Sequence, residues 1–186
     1  MQERSDMKIM VASDIHGSDF YCEQMIAAFE REGAEKLLLL GDILYHGPRN
    51  DLPKGYAPKS VIERLNGMKD KILAVRGNCD TEVDQMVLKF PMLADYCILY
   101  VGGKTIYATH GHKFNCENLP PLQRGDILLH GHTHVPKCED KGDFTYMNPG
   151  SVSIPKEDSQ HGYMILTEEK AVWKSLSGEE YNSFVL

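Results

Sequence analysis

The sequence predicts an α/β fold with two β-sheets and helices on their outer faces, on three observations. Up to residue 95, short apolar runs alternate with segments of helical periodicity, the pattern of a parallel sheet with crossover helices. Beyond residue 95 the texture changes to strands joined by tight turns. Each of five apolar runs ends in a cluster of Asp, Asn or His next to glycine.

Taken in order, "MKIMVAS" (7–13) is an apolar run rich in strand formers, and it leads into "DIHGSD". "FYCEQMIAAFEREG" (20–33) then carries helical spacing and ends on a glycine stop. "AEKLLLL" (34–40) reads as a strand that breaks at the Pro- and Gly-punctuated loop "GDILYHGPRN" (41–50). "PKSVIERLNGM" (58–68) is a second helix, and "KILAV" (71–75) a strand halted by "RGNCD". Four later segments read as strands: "YCILYVGGKTIYATHGH" (96–112), "GDILLHGHTH" (125–134), "FTYMNPGS" (144–151) and "GYMILTEEKAVWKSL" (162–176). Gly-Gly and Glu-Glu-Lys serve as hairpin turns.

Composition narrows the function classes. A chain of 186 residues with 42% hydrophobic content suits one domain, 1–186, with residues 1–6 a short polar extension. The net charge of −7 supplies no general field for nucleic acid or an anionic membrane, so an anionic substrate must be held locally. The cysteines Cys22, Cys79, Cys97, Cys116 and Cys138 are odd in number and form no C-x-x-C pair, which fits a reducing cytoplasm. Neither a signal-peptide core nor an apolar run of membrane-spanning length is evident, so the chain is expected to be soluble. No G-x-S-x-G elbow or H-E-x-x-H motif points to an α/β-hydrolase or a zinc protease.

The polar residues at the strand ends carry the functional signal. They are Asp14 and His16, Asp42, Asn78, His110 and His112, and His132 and His134. In α/β sheets the carboxyl ends of strands face one crevice, so residues distant in sequence can converge there. Any one cluster could be a loop cap, because Asp, Asn and Gly favour turns; five together point to a shared site. Mixed carboxylate, amide and imidazole groups suit divalent Mn, Fe, Zn or Ni, and two such ions can clamp a phosphoryl group. Bound cations would provide the positive charge the chain lacks.

The ordered series D-x-H, G-D, G-N-[HC]-D, G-H and G-H-x-H, here "DIH", "GD", "GNCD", "GH" and "GHTH", resembles the calcineurin-like metallophosphoesterases. Within them, "HGPRN", "RGNCD" and "NPGSVSIPK" are similar to the small bacterial YfcE-type phosphodiesterases, over nearly residues 7–166. The resemblance implies a four-layer α/β/β/α sandwich of two mixed sheets and a dinuclear centre. Asp14, His16 and His134 would hold one metal, Asp42 would bridge, and Asn78, His110 and His132 would hold the second. It also implies hydrolysis of a small phosphodiester by a metal-bridging hydroxide, with Mn the expected ion. His130 matches no motif position and is expected in the core or behind a ligand; His112 is expected at the rim, and His161 in a structural role.

Cys79 departs from the histidine that many members carry in G-N-H-D. A neutral thiol donates a hydrogen bond poorly beside an imidazolium, so phosphomonoesters should be poor substrates and diesters with good leaving groups better ones. Cys79 can equally be a small residue that keeps the loop compact. His46, Arg49, Asn78 and Cys79 are expected substrate contacts, since Arg can bind phosphate through two parallel hydrogen bonds; Arg49 can also be a plain surface residue. Asp80 is expected to orient a neighbouring ligand. Two other functions stay open: a non-catalytic scaffold of the same fold, and a nuclease or cyclic-nucleotide phosphodiesterase. No basic, aromatic-rich stretch suggests a dedicated polynucleotide binder. Hydrophobic strands in the second half could support a homo-oligomer.

Overall fold

The computed structural model describes residues 7–186; the polar extension at 1–6 lies outside the described residues. In chain order the elements are β1 (Ile9–Ala12), α1 (Asp19–Glu32), β2 (Lys36–Leu39), α2 (Pro58–Gly67), β3 (Ile72–Ala74) and α3 (Glu82–Val87). Then come β4 (Tyr96–Val101), β5 (Lys104–Thr109), β6 (Ile127–His130), β7 (Lys137–Asp140), β8 (Thr145–Asn148), β9 (Gly162–Leu166), β10 (Lys170–Ser175) and β11 (Glu180–Val185).

Helix α1 starts where the Ser18 side chain accepts a hydrogen bond from Tyr21 N–H, and it ends on Gly33 in the left-handed conformation at φ 62°. Helix α2 opens with Pro58, whose fixed φ suits a first helical turn. Glycines 102 and 103, both at positive φ, turn β4 into β5.

The strands form two mixed sheets. One runs β11-β10-β9-β1-β2-β3, with β1, β2 and β3 parallel as the early alternation predicts and β9 antiparallel beside β1. The other runs β4-β5-β6-β8-β7, in which β5, β6 and β8 are parallel. Alternation along β1 and β2 divides the core in two. Met10, Ala12, Leu37 and Leu39 pack with Cys22, Met25, Phe29, Val61 and Leu65 of the helices. Ile9, Val11, Leu38 and Leu40 face the second sheet and meet Ile106, Ala108, Ile127, Leu129 and Trp173. The Trp173 indole N–H donates to the Asn148 carbonyl at 2.7 Å, so the largest buried side chain is also satisfied.

The two sheets thus lie face to face, and all three α-helices among the described residues precede β4. The helix-packed core contains no residue of β4 to β8. No helix among the described residues is long and apolar enough to cross a membrane. This arrangement brings the carboxyl ends of β1, β2 and β3 against those of β5 and β6.

Candidate metal centre

The turns after β1 and β2 are stitched together through the main chain. Asp14 N–H donates to Gly41 O at 3.1 Å, His16 N–H to Asp42 O at 2.9 Å, and Gly17 N–H to Ile43 O at 2.8 Å. The "NPGSVS" segment clamps the same turn from the other side. Ser151 and Ser153 hydroxyls both donate to Asp14 O at 3.0 Å, and Val152 N–H donates to Ser13 O at 3.0 Å. Asp80 is the third fastening: its buried carboxylate accepts N–H bonds from Asp42 (2.8 Å), Ile43 (2.9 Å) and Gly77 (2.7 Å). It therefore holds the backbone on which Asp42 stands, whereas the sequence suggested only that it orients a neighbouring ligand.

Five residues outside glycine pay for this arrangement in backbone strain. Asp14, His16, Asp42, His132 and His134 have φ of 60°, 50°, 54°, 67° and 62°. Such conformations cost on the order of 1–3 kcal/mol each and persist where the surroundings enforce them, commonly at functional sites.

The side chains converge as two overlapping groups. Asp14 Oδ1 lies 3.2 Å from His134 Nε2 and 3.5 Å from His16 Nε2, and those two nitrogens are 3.3 Å apart. In the second group His110 Nε2 lies 3.0 Å from Asn78 Oδ1, 3.1 Å from His132 Nδ1 and 3.4 Å from Asp42 Oδ2. Asp42 Oδ2 is also 3.7 Å from His16 Nε2, so this carboxylate touches both groups. All seven residues expected to hold metal are brought together.

Hydrogen-bond chemistry shows what the centre can take. The Nδ1 atoms of His16, His110 and His134 face the carbonyls of Tyr45 (2.8 Å), Leu40 (2.7 Å) and Ile154 (2.6 Å). A carbonyl only accepts, so each Nδ1 carries the proton and each Nε2 is turned toward the carboxylates. Fixing of one imidazole nitrogen by a carbonyl is the usual support of a metal-binding histidine. Asp14 Oδ1 is buried and makes no hydrogen bond among the described residues, despite His134 Nε2 at 3.2 Å. A buried carboxylate oxygen without a donor, facing several imidazole nitrogens, fits a divalent cation. Asp14, His16 and His134 present atoms within 4.8 Å of one another, as do Asp42, His110 and His132; Cys79 Sγ completes a third such set with His16 and Asp42.

The charges are strongly coupled. Burial pushes Asp14 up, but the His134 and His16 imidazoles close beside it and the nearby His110 more than offset it and hold the carboxyl well below the usual range. Burial likewise opposes the charged form of His110, yet its bond to Asp42 and the Asp14 and Asp42 charges raise it to about 9. Burial and then the His110 charge push His132 down to about 4. Burial and then Asp42 push the Cys79 thiol up to about 12, so it stays neutral.

Beside these groups a polar cleft of about 440 Å³ is lined by Asp42, Asn78, His132 and His134 together with Arg49 and Lys156. Lys156 was not singled out from the sequence, although it ends the "NPGSVSIPK" segment that carries part of the resemblance. His46 does not line this cleft. Its ring packs edge-on between Tyr45 and Tyr56, with centroids 4.8 and 5.4 Å away. His112 is half-buried at the rim, 5.4 Å from the His110 ring. His130 is buried behind the site and stacks on Tyr146 at 4.4 Å. His161 stacks on Tyr21 at 3.9 Å and bonds the Val152 carbonyl.

Comparison with known proteins places this geometry in a family. The chain is 50% identical to phosphodiesterase YfcE of Escherichia coli K12 over 163 residues, covering 88% of this chain and 89% of that protein. It is 26% identical to the probable metallophosphoesterase YsnB of Bacillus subtilis, covering 88% and 85%. The solved structure of E. coli YfcE, described as a phosphoesterase, superposes with a TM-score of 0.92 at 46% identity and covers 96% of this chain and 98% of its own. Vacuolar protein sorting 29 of Cryptosporidium parvum shares the fold alone, with a TM-score of 0.63 at 16% identity over 98% and 100% of the two chains. The family model for the calcineurin-like phosphoesterase superfamily domain matches residues 7–171. With the strand-end carboxylates and imidazoles gathered as described, the chain belongs to the calcineurin-like phosphoesterase superfamily.

Proposed function

We propose that this chain, acting as one metallophosphoesterase domain, hydrolyses small phosphodiesters with two divalent cations. Asp14, His16 and His134 would hold one, Asn78, His110 and His132 the other, and Asp42 would join them. The observation that carries this reading is the Asp42 carboxylate, in reach of His16 on one side and His110 on the other. Mixed oxygen and imidazole donors suit Mn, with Fe, Zn or Ni as alternatives. When bound, such cations lower the pKa of water and neutralise charge developing on the phosphoryl oxygens.

The chain's own residues supply position and selectivity. Arg49 and Lys156 on the cleft walls offer the cationic donors that an overall charge of −7 lacks, and so would orient the phosphate. Main-chain carbonyls fix the imidazole rings, so their Nε2 atoms stay aimed at the reacting centre. Cys79 stays a neutral thiol beside Asn78 and offers little help to a poor leaving group. Diesters with acidic leaving alcohols are therefore favoured over monoesters. The 50% identity to a protein named as a phosphodiesterase supports the same substrate class. The odd set of free cysteines supports a reducing, cytoplasmic setting.

The deciding experiment compares hydrolysis of bis-p-nitrophenyl phosphate and p-nitrophenyl phosphate by chelator-stripped protein, with and without Mn²⁺. The reading expects Mn²⁺-dependent turnover that favours the diester. No turnover of either ester by protein shown to bind metal would favour a non-catalytic scaffold of the same fold.

A further inference from the structure

A second depression, about 400 Å³, opens beside the polar cleft and shares the Cys79 side chain with it. Its walls are Leu44, Tyr45 and Tyr56 from the segment after β2, Ile62 on α2, and Val83 and Val87 on α3. They are built from the same pieces as the metal centre. The Tyr45 carbonyl holds His16 Nδ1 at 2.8 Å while its ring lines the groove. The Tyr56 ring lies so close to Gly17 that a Cβ there would come within 2.5 Å of it.

Folding does not account for the apolar face of α3. This helix has no buried residue, and Val83 and Met86 are 66% and 82% exposed. Val83 and Val87, one helical turn apart, share a face, and both line the groove. Against them stand the Tyr45 and Tyr56 rings, braced by His46 between them. Lys59 and Asp84 are the charged side chains of the lining, and Asp84 is already engaged by Thr81 at 2.7 and 3.1 Å. A second phosphate is poorly matched to such walls. The size suits a ring system, since a cavity of roughly 150 Å³ accepts benzene and small-molecule sites start near 300 Å³.

We propose that this groove receives a flat, uncharged aromatic arm of the phosphodiester, an aryl ring or a nucleobase, while the phosphate lies in the adjoining cleft. The inference rests on the phosphodiesterase reading above and adds the class of ester that the site selects. Val83, Val87, Tyr45 and Tyr56 are then specificity-determining residues.

The test is calorimetric titration of Mn²⁺-loaded protein with phenylphosphonate and with methylphosphonate. The wild type should bind the phenyl compound about tenfold more tightly, the approximate worth of one ring face removed from water. Val83→Asn makes the wall polar and Val83→Trp fills the groove; at so exposed a position neither should disturb folding. Both should reduce the phenyl preference below about threefold and leave methylphosphonate affinity unchanged. Bis-p-nitrophenyl phosphate hydrolysis, followed in the same preparations, separates the two levels of inference. A wild type without turnover overturns the phosphodiesterase reading itself. An active wild type that binds both phosphonates equally, or active variants that keep the tenfold preference, overturn the groove assignment alone. Adenosine 5′-phosphate distinguishes the two sources of a ring. Affinity above that of phenylphosphonate, lost in the same variants, identifies a nucleobase, and no gain identifies a plain aryl group.

Discussion

Replacing Gly77 by alanine should cost far more than one methyl group suggests. Gly77 does not need a left-handed backbone, so the alanine problem is one of space. A Cβ there would overlap Asp42 Oδ1 and Asp42 N and lie 2.9 Å from Asp42 Cγ. Carbon atoms pack comfortably at about 3.5–4.0 Å, so one side must retreat by roughly 1 Å. Neither side is free to do so. Gly77 N–H and Asp42 N–H share Asp80 Oδ2 at 2.7 and 2.8 Å, and Cys79 N–H holds Asp42 Oδ1 at 2.8 Å. Metal sites tolerate ligand displacements of about 0.2 Å, and a 1 Å misplacement commonly costs on the order of 100-fold in rate. The forced methyl should also destabilise the fold by about 1–3 kcal/mol. Mn²⁺-dependent kcat/KM on bis-p-nitrophenyl phosphate, with a urea midpoint, reads both effects. Gly67→Ala is the matched control: it ends α2 with nothing within 4 Å of a new Cβ, so activity should not change. A Gly77→Ala protein within about threefold of wild-type kcat/KM would refute the claim that Asp42 is held in a rigid cradle.

Cys79→His should raise monoesterase relative to diesterase activity by about tenfold or more, since general acid help is worth 10²–10⁴ where it operates; an unchanged ratio contradicts the leaving-group explanation. His110 is held at about 9 without a cation, and so is protonated at pH 7. Cation binding must release that proton, so affinity should rise with pH toward 9. Calorimetry at pH 7 in two buffers of different ionisation enthalpy measures the release, and a value of zero contradicts this. Glu32, far from the site, accepts from Lys174 at 3.0 Å and Tyr163 at 2.9 Å. Burial alone would push its carboxyl up, but those bonds and the Lys174 and Lys8 charges lower it below its usual 4.5. Its contribution is therefore present above that value and lost as pH falls through the folded-state pKa. Glu32→Gln should destabilise at neutral pH, with the difference from wild type shrinking in acid; a difference independent of pH contradicts the assignment.

The parts of the fold legible in the sequence were those with a strong local period or a clear stop. Helix α1 shows its apolar spacing and Gly33 stop, and the β4–β5 hairpin shows its Gly-Gly turn. Strand β7 (Lys137–Asp140) and strand β11 (Glu180–Val185) escape because both lie at sheet edges, where polar residues such as Glu139 and Asn182 erase the alternation. Helix α3 escapes because its six residues are too few to display a helical period. Nor does local pattern show that β5, β6 and β8 run parallel, since that pairing depends on long connections. For the centre, the residue types at strand ends were legible because five apolar runs end alike. The left-handed backbone of Asp14, His16, Asp42, His132 and His134 was not, because it is imposed by hydrogen bonds from distant segments. Lys156 was hidden for the same reason: it reaches the cleft because the "NPGSVS" segment folds back onto Asp14.

The most direct test of the central claim counts cations. Protein saturated with Mn²⁺ and freed of excess by gel filtration is analysed for metal beside Asp42→Asn. Two Mn²⁺ per chain in the wild type, and loss of both metal and diester hydrolysis in the variant, are expected for a carboxylate shared by both groups. A single ion per wild-type chain, or a variant that keeps two ions and normal turnover, would contradict it.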